Sequence, residues 1–302
     1  ALAGRNKKDT WDQWYTGKFD LHPLKGLSVK GDYSYNRYST IQKIHRKEMT
    51  QTFPEGAATW TVESPNYVQN KNSNDIYQAL NVWAEYQKSF KNAHNMVLMA
   101  GYNQEQKTLA STSYKMSNLY DNELPISDLA INYLENSETK DIWKVQGAFF
   151  RLNYDYQSKY LMEVNGRYDG SSKYAKDHRW AFFPSASVGW RISEEKFFKP
   201  LTKYVDNLKI RASFGALGNQ VTEGYHDYMS YLSGKVLSNY MMNGAIVNGL
   251  DIPTLPSLVT WEKVITKDVG LDWSLFNNRL FGSFDFYVRD TKNMVRSVVL
   301  PA

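Results

Sequence analysis

The chain has 302 residues, a net charge of +5, 42% hydrophobic residues and an unusual 15% aromatic share: 22 Tyr, 14 Phe and 9 Trp. That apolar content excludes disorder. The lack of cysteine excludes disulfides, thiol catalysis and Cys-ligated zinc. Nucleic-acid binding wants a denser basic patch than Lys7-Lys8 or the group Lys43, His45, Arg46 and Lys47. Mean hydropathy is −0.56, and no apolar run nears the roughly 18 residues of a membrane helix. Neither fact counts against a membrane β-barrel, whose strands turn every second residue to a polar lumen.

In chain order, period-two alternation predicts about ten strands, near 11–21, 27–37, 76–90, 96–107, 141–156, 160–171, 181–193, 207–218, 260–275 and 280–295. In the second, Leu27, Val29, Tyr33 and Tyr35 oppose Ser28, Lys30, Asp32 and Asn36. In the fifth, Phe150, Leu152, Tyr154 and Tyr156 oppose Arg151, Asn153 and Asp155. The sixth sets Tyr160, Met162, Val164 and Tyr168 against Glu163, Asn165, Arg167 and Asp169. The eighth sets Leu208, Ile210, Ala212 and Phe214 against Lys209, Arg211 and Ser213. The last two set Val269, Leu271 and Trp273 against Asp268 and Asp272, and Phe284, Phe286 and Val288 against Ser283, Asp285 and Arg289. Most run to about ten residues, whereas soluble strands average about five or six and barrel strands need about 9–11.

Short links (His22–Gly26, Lys91–Asn95, Gln157–Lys159, Asn277–Arg279) alternate with long ones over 38–75, 108–140 and 219–259. The 172–180 link is shorter than its class. The 194–206 link is longer, with a helical turn over Glu194–Phe198. Short periplasmic turns and long extracellular loops have this rhythm. The expected fold is therefore all-β: an up-and-down antiparallel transmembrane barrel, here part of a larger one. Pro184 predicts a bulge or strand start. Trp190, Trp273, Tyr168 and Phe286 read as lipid-facing or girdle residues. Ala1–Thr10 has no apolar leader core. The expectation is one internal barrel segment over 1–302, lacking leader, plug and closing strands.

The polar-side residues Arg167, Asp169, Lys209, Arg211, Asp268, Asp272, Asp285 and Arg289 are predicted to face the lumen and to pair across strands. Their bland role is structural. Trp60, Tyr67, Tyr114, Tyr120 and Tyr133 fall in the predicted long loops and are the candidate substrate contacts, since aromatic faces stack on sugars and pack on peptides. Packing among the loops competes with that role. No catalytic set, metal site or cofactor site emerges. His22, His45, His94, His178 and His226 show no metal spacing, and His22 and His94 fall in tight turns. Ser171-Ser172 lacks a nucleophile elbow. Gly215–Asn219 lacks a P-loop lysine and reads as turn chemistry. Asp268 and Asp272, as a carboxylate pair, lie on one face of one strand.

Several strings resemble the SusC/RagA branch of TonB-dependent outer-membrane transporters. They are Gly166-Arg167-Tyr168-Asp169-Gly170-Ser171-Ser172-Lys173-Tyr174, then Phe183–Glu195, Leu208–Gly215 with Gly218-Asn219, Thr260-Trp261-Glu262-Lys263 with Gly270-Leu271-Asp272, and Asn278–Leu280 with Asp285-Phe286-Tyr287. The match covers about 166–295; residues before it fit only in style. The resemblance implies a plugged barrel of about 22 strands in a bacterial outer membrane. It also implies TonB-driven import of an oligosaccharide or peptide under a SusD-like lipoprotein lid, and a TonB contact through a plug outside this chain. It implies no enzyme. A soluble all-β carbohydrate-binding or scaffold protein, a β-rich hydrolase, and a barrel working as an enzyme or adhesin are the rival readings.

Overall fold

The computed structural model describes residues 3–52, 59–62, 65–91, 93–220, 224–225, 236–242, 245–250 and 260–294, without the side chains of 51–52, 59–62, 236–242 and 245–250. His226 and the proline string Asp251–Pro256 lie outside them. The strands are β1 (Gly4–Leu24), β2 (Leu27–Arg46), β3 (Met49–Thr52), β4 (Thr59–Val62), β5 (Tyr67–Phe90), β6 (His94–Leu119), β7 (Ala130–Tyr156), β8 (Tyr160–Ser171), β9 (Trp180–Arg191), β10 (Val205–Asn219), β11 (Val236–Met242), β12 (Ala245–Leu250), β13 (Glu262–Leu275) and β14 (Leu280–Lys292). Ten form one sheet in chain order, β1-β2-β5-β6-β7-β8-β9-β10-β13-β14, and β3-β4 and β11-β12 pair separately. This is the all-β, up-and-down order that the sequence predicts, with the expected ten strands in one sheet.

The chain forms two compact units, one from 1–17, 32–80 and 105–143, the other from 18–31, 81–104 and 144–302. In the first, polar side chains stitch strand to strand. Ser111 bonds Thr139 at 2.7 Å, Gln42 bonds Asn6 at 2.9 Å, and Arg37 bonds Asn74 at 2.9 Å. The Asn66 side chain accepts the Leu119 N–H at 2.7 Å and donates to the Leu119 carbonyl at 3.2 Å. These contacts explain a correction. Much of the expected loops 38–75 and 108–140 is strand: β2 runs on to Arg46, β5 starts at Tyr67, β6 runs to Leu119 and β7 starts at Ala130. Polar residues occupy both faces there, so alternation fades while cross-strand side-chain bonds hold the pairing.

In the second unit the pairing is continuous across β7 to β10 and on to β14. Registers such as Phe150↔Gly166, Leu161↔Gly189, Arg211↔Gly189, Arg211↔Gly270 and Gly270↔Asp285 fix which residues share a face. One face collects Tyr160, Met162, Val188, Trp190, Ile210, Phe214, Val269, Leu271, Phe284 and Phe286, all exposed. Phe284 is 67% exposed. Trp190, Trp273, Tyr168 and Phe286 all lie on this apolar face. Ten residues separate the row of Tyr160 from that of Gly170 and Trp180. At about 3.3 Å per residue and a tilt of about 40°, this spans about 25 Å, the height of a barrel's apolar band.

The short turns lie at one end of these strands and continue the pairing. Gln157 donates to the Ala93 carbonyl, Arg191 to Lys159, and Phe276 to Tyr204. His22 sits within β1 and His94 opens β6, rather than either occupying a turn. Pro184 sits inside β9 opposite Gly166 with no shift of register. The β9–β10 pairing stops at Ser185, so the missing N–H costs no ladder bond to β10. Gly215 and Gly218 belong to β10 rather than to a turn. A Cβ at Gly218 would lie 2.1 Å from Phe183 Cζ, so the ring occupies that space. The helical turn expected in the 194–206 link is present as two 3-10 segments, Ile192–Glu194 and Lys196–Leu201.

At the other end of the second unit lies a small core of Tyr174, Ala181, Phe183 and Trp261. Trp261 is 4% exposed, with its ring 5.2 Å from that of Tyr174 and 5.4 Å from that of Phe183. Its Nε1–H donates to the Arg179 carbonyl at 2.8 Å. Strings far apart in the sequence thus meet to fasten the β8–β9 loop.

Candidate functional site

The face opposite the apolar one carries the charge. Register places all eight predicted polar-side residues on it: Arg167, Asp169, Lys209, Arg211, Asp268, Asp272, Asp285 and Arg289. Three of them, all carboxylates, meet at Arg211. Its Nη1 lies 3.1 Å from Asp268 Oδ1, its Nε lies 3.3 Å from Asp272 Oδ1, and its Nη2 pairs closely with Asp285. Lys209 Nζ stands 3.9 Å from Asp272. Gly270 makes the convergence possible, because a Cβ there would lie 2.5 Å from Arg211 Cζ and 2.7 Å from Asp285 Oδ1. Two cations thus face three carboxylates. Such a group is partly solvated and rigid, suited to holding strands in register and to presenting charge.

A second pair stands apart. Arg167 Nε donates to both oxygens of the buried Asp169, at 2.8 and 2.7 Å, and its Nη2 donates to Asn103 at 3.3 Å. Arg289 joins neither group; it is opposite Thr266, with its guanidinium 5.9 Å from the Tyr287 ring centroid. Between the charged groups the floor is small. A cavity of about 460 Å³ opens over Asn153, Glu163, Ser187, Gly189, Arg211 and Ser213. A neighbouring one of about 620 Å³ is bordered by Arg151, Asn165, Arg167 and Ser185. Among the described residues no group of His, Cys, Asp and Glu has the arrangement of a metal site.

Of the five aromatic candidates, four have described side chains, and no ring contact joins any two of Tyr67, Tyr114, Tyr120 and Tyr133. Tyr120 alone lies in a loop, 88% exposed. Tyr67 opens β5 with the Lys115 ammonium 4.0 Å from its ring centroid. Tyr114 is in β6 and Tyr133 in β7, for the reason that lengthened those strands. Trp60 is in β4 opposite Gln51, and its side chain is outside the described set.

A feature that sequence reasoning missed lies at the short-turn end of the apolar face. Rings run in contact from Phe90 to His94 (5.0 Å), Tyr156 (4.8 Å), Tyr160 (6.2 Å) and Trp190 (6.5 Å). The Glu195 carboxylate closes the row. It accepts from Tyr160 Oη at 2.6 Å and Trp190 Nε1 at 3.2 Å, and Lys159 Nζ is 3.5 Å away. The Tyr160 bond, then the Trp190 bond, hold this carboxyl below its ordinary pKa. The only sequence signal was Glu195 following a Trp-Arg strand end. Its partners depend on the 3-10 turn between.

A family model described as TonB dependent receptor-like, beta-barrel matches residues 2–302. The chain belongs to that family. Its members are outer-membrane β-barrels, and TonB-dependent receptors are transporters rather than enzymes. TonB-dependent receptor P26 of Formosa agariphila is 35% identical over 180 residues, 56% of this chain and 18% of that protein. TonB-dependent receptor SusC of Bacteroides thetaiotaomicron is 36% identical over 157 residues, 51% of this chain and 15% of that protein. The RagAB peptide transporter structure superposes with a TM-score of 0.80 at 21% identity, covering 99% of this chain and 32% of that one. The RagAB peptide importer in its closed-closed state gives 0.79 at 21% identity, covering 100% and 32%. The SusC/RagA assignment made from the strings beginning at Gly166 therefore stands. The chain spans about a fifth or less of these curated relatives and about a third of these solved structures.

Proposed function

We propose that residues 1–302 are wall of a single outer-membrane β-barrel domain, crossing the membrane many times, in a TonB-dependent importer of an oligosaccharide or peptide. The observation that carries this reading is the two-faced sheet of the second unit. One side exposes a continuous band of large apolar residues, and the other gathers Arg211, Lys209, Asp268, Asp272 and Asp285. A soluble sheet would cover the band, whereas a barrel turns it to lipid. No helix among the described residues is long and apolar enough to cross a membrane; in this reading the crossings are made by strands. The eight charged residues then line the lumen, where the Arg211 and Arg167 groups brace the wall against a plug. Trp60, Tyr67, Tyr114, Tyr120 and Tyr133 contact substrate or a SusD-like lipoprotein lid, with Tyr120 and Tyr133 the most open of the four with described side chains. TonB supplies the work through the plug. SusC and RagAB are the similar proteins that support the pairing with a lid.

The test uses the full-length protein. Cells lacking it are supplied with labelled oligosaccharides or peptides, with and without a functional TonB. TonB-dependent uptake restored by the gene supports the proposal. A protein found in the aqueous fraction without detergent would overturn it.

A further inference from the structure

The link between β9 and β10 carries exposed apolar and cationic side chains. Lys196–Leu201 is a 3-10 helix. Phe198 turns inward and is buried, whereas Phe197 is 66% exposed, Leu201 52% and the following Tyr204 54%. Phe276, whose N–H donates to the Tyr204 carbonyl at 3.0 Å, adds another open ring. An apolar group of this size on a short link marks a covered surface.

The charges indicate what covers it. Glu194 is matched by Arg191 at 3.1 Å and Glu195 by Lys159 at 3.5 Å, while Asp206 accepts the Asn278 N–H at 2.9 Å. Among the described residues no carboxylate lies within 4.0 Å of Lys196 or Lys199, and Lys203 lies 5.7 Å from the Tyr204 ring centroid. The unmatched charge is positive. Open rings beside unmatched ammonium groups are the composition of a segment lying in a lipid interface with anionic headgroups. The link is also continuous with the apolar face, because Glu195 ties it to Tyr160 and Trp190 at the end of the ring row.

We propose that residues 192–204 form an interfacial foot that binds anionic phospholipid. Lys196, Lys199 and Lys203 meet headgroup phosphates, and Phe197, Leu201 and Tyr204 sink to the acyl boundary. The inference rests on the outer-membrane reading and adds to it a lipid class and a binding segment.

The experiment places the full-length protein in bilayer nanodiscs of phosphatidylethanolamine with or without phosphatidylglycerol. Nitroxide labels at Phe197→Cys and, separately, at Phe284→Cys are scored for collision with oxygen and with a water-soluble nickel chelate. Oxygen preference at both sites is expected. A label at 197 that prefers nickel while the one at 284 prefers oxygen overturns the foot and leaves the barrel standing; nickel preference at both overturns the two together. A triple variant, Lys196→Gln, Lys199→Gln and Lys203→Gln, should co-purify at least about fivefold less phosphatidylglycerol. The corresponding Lys→Arg triple should retain it. Unchanged enrichment in a glutamine variant that keeps its folded mobility on a gel overturns the headgroup assignment.

Discussion

Trp261 and Arg179 lie 82 positions apart, yet the indole N–H of the first donates to the backbone carbonyl of the second at 2.8 Å. This bond and the ring contacts with Tyr174 and Phe183 fasten the β8–β9 loop to the approach of β13. Trp261→Ala is expected to cost about 3–5 kcal/mol, and Trp261→Phe only about 0.5–1.5 kcal/mol, because the carbonyl keeps the Ser171 N–H at 3.2 Å. Heat-dependent gel mobility, with proteolysis at 172–180 as a local probe, checks the order. An alanine variant as heat-resistant as the parent would show that the loop is held elsewhere.

Gly218 yields its side-chain space to Phe183. Gly218→Ala should push the ring out of the same core, at about 1–3 kcal/mol. Phe183→Leu in the same chain should recover part of the loss. Additive losses in the double variant would mean that the two sites are not in contact.

Arg211 holds three carboxylates together. Arg211→Met leaves Asp268, Asp272 and Asp285 facing one another, with Lys209 alone to offset them. These groups are partly solvated, so the expected loss is only about 1–2 kcal/mol. Asp285→Asn should relieve part of it, and urea midpoints of the single and double variants measure the coupling.

Burial first, and Glu262 second, push the Tyr174 phenol up to about 12. A value raised in the folded state means that the neutral form is the one the fold holds. The stability tied to Tyr174 is complete below pH 10 and falls as pH rises from 10 to 12. The hydroxyl has no hydrogen-bond partner among the described residues. Tyr174→Phe should therefore be harmless near neutral pH and should remove this part of the alkaline loss. Unfolding midpoints against pH in the two proteins decide it.

Glu195 behaves in the opposite sense. Its folded value is lowered, so its contribution is present above the ordinary carboxylate range and is lost as pH falls through the folded value. Acid should loosen the 192–204 link before the strands separate. Glu195→Gln should show faster amide exchange in that link already at neutral pH. Equal exchange in parent and variant would argue that Glu195 does not fasten it.

The strands were most legible where each face has one chemistry. Met162, Val164 and Tyr168 against Glu163, Asn165 and Arg167 give β8 to the residue. In β6 and β7, pairs such as Ser111 and Thr139 place polar groups on both faces, and the same rule took strand for loop. The charged site was half legible. Alternation puts Arg211, Asp268, Asp272 and Asp285 on polar sides, but their convergence needs the register, and a slip of one residue would turn one partner away. The meeting of Tyr174 with Trp261 and the capture of Tyr160 by Glu195 were invisible, since each depends on how a connection folds back.

Among the described residues, β1 and β14 stand at the ends of the ten-stranded order, each paired on one side. Each outer margin presents a row of backbone donors and acceptors, along 21 residues in β1 and 13 in β14. Such a margin accepts any extended backbone of suitable length. In the barrel proposed above, these margins are where neighbouring wall strands join, so backbone pairing rather than side-chain choice makes the seam.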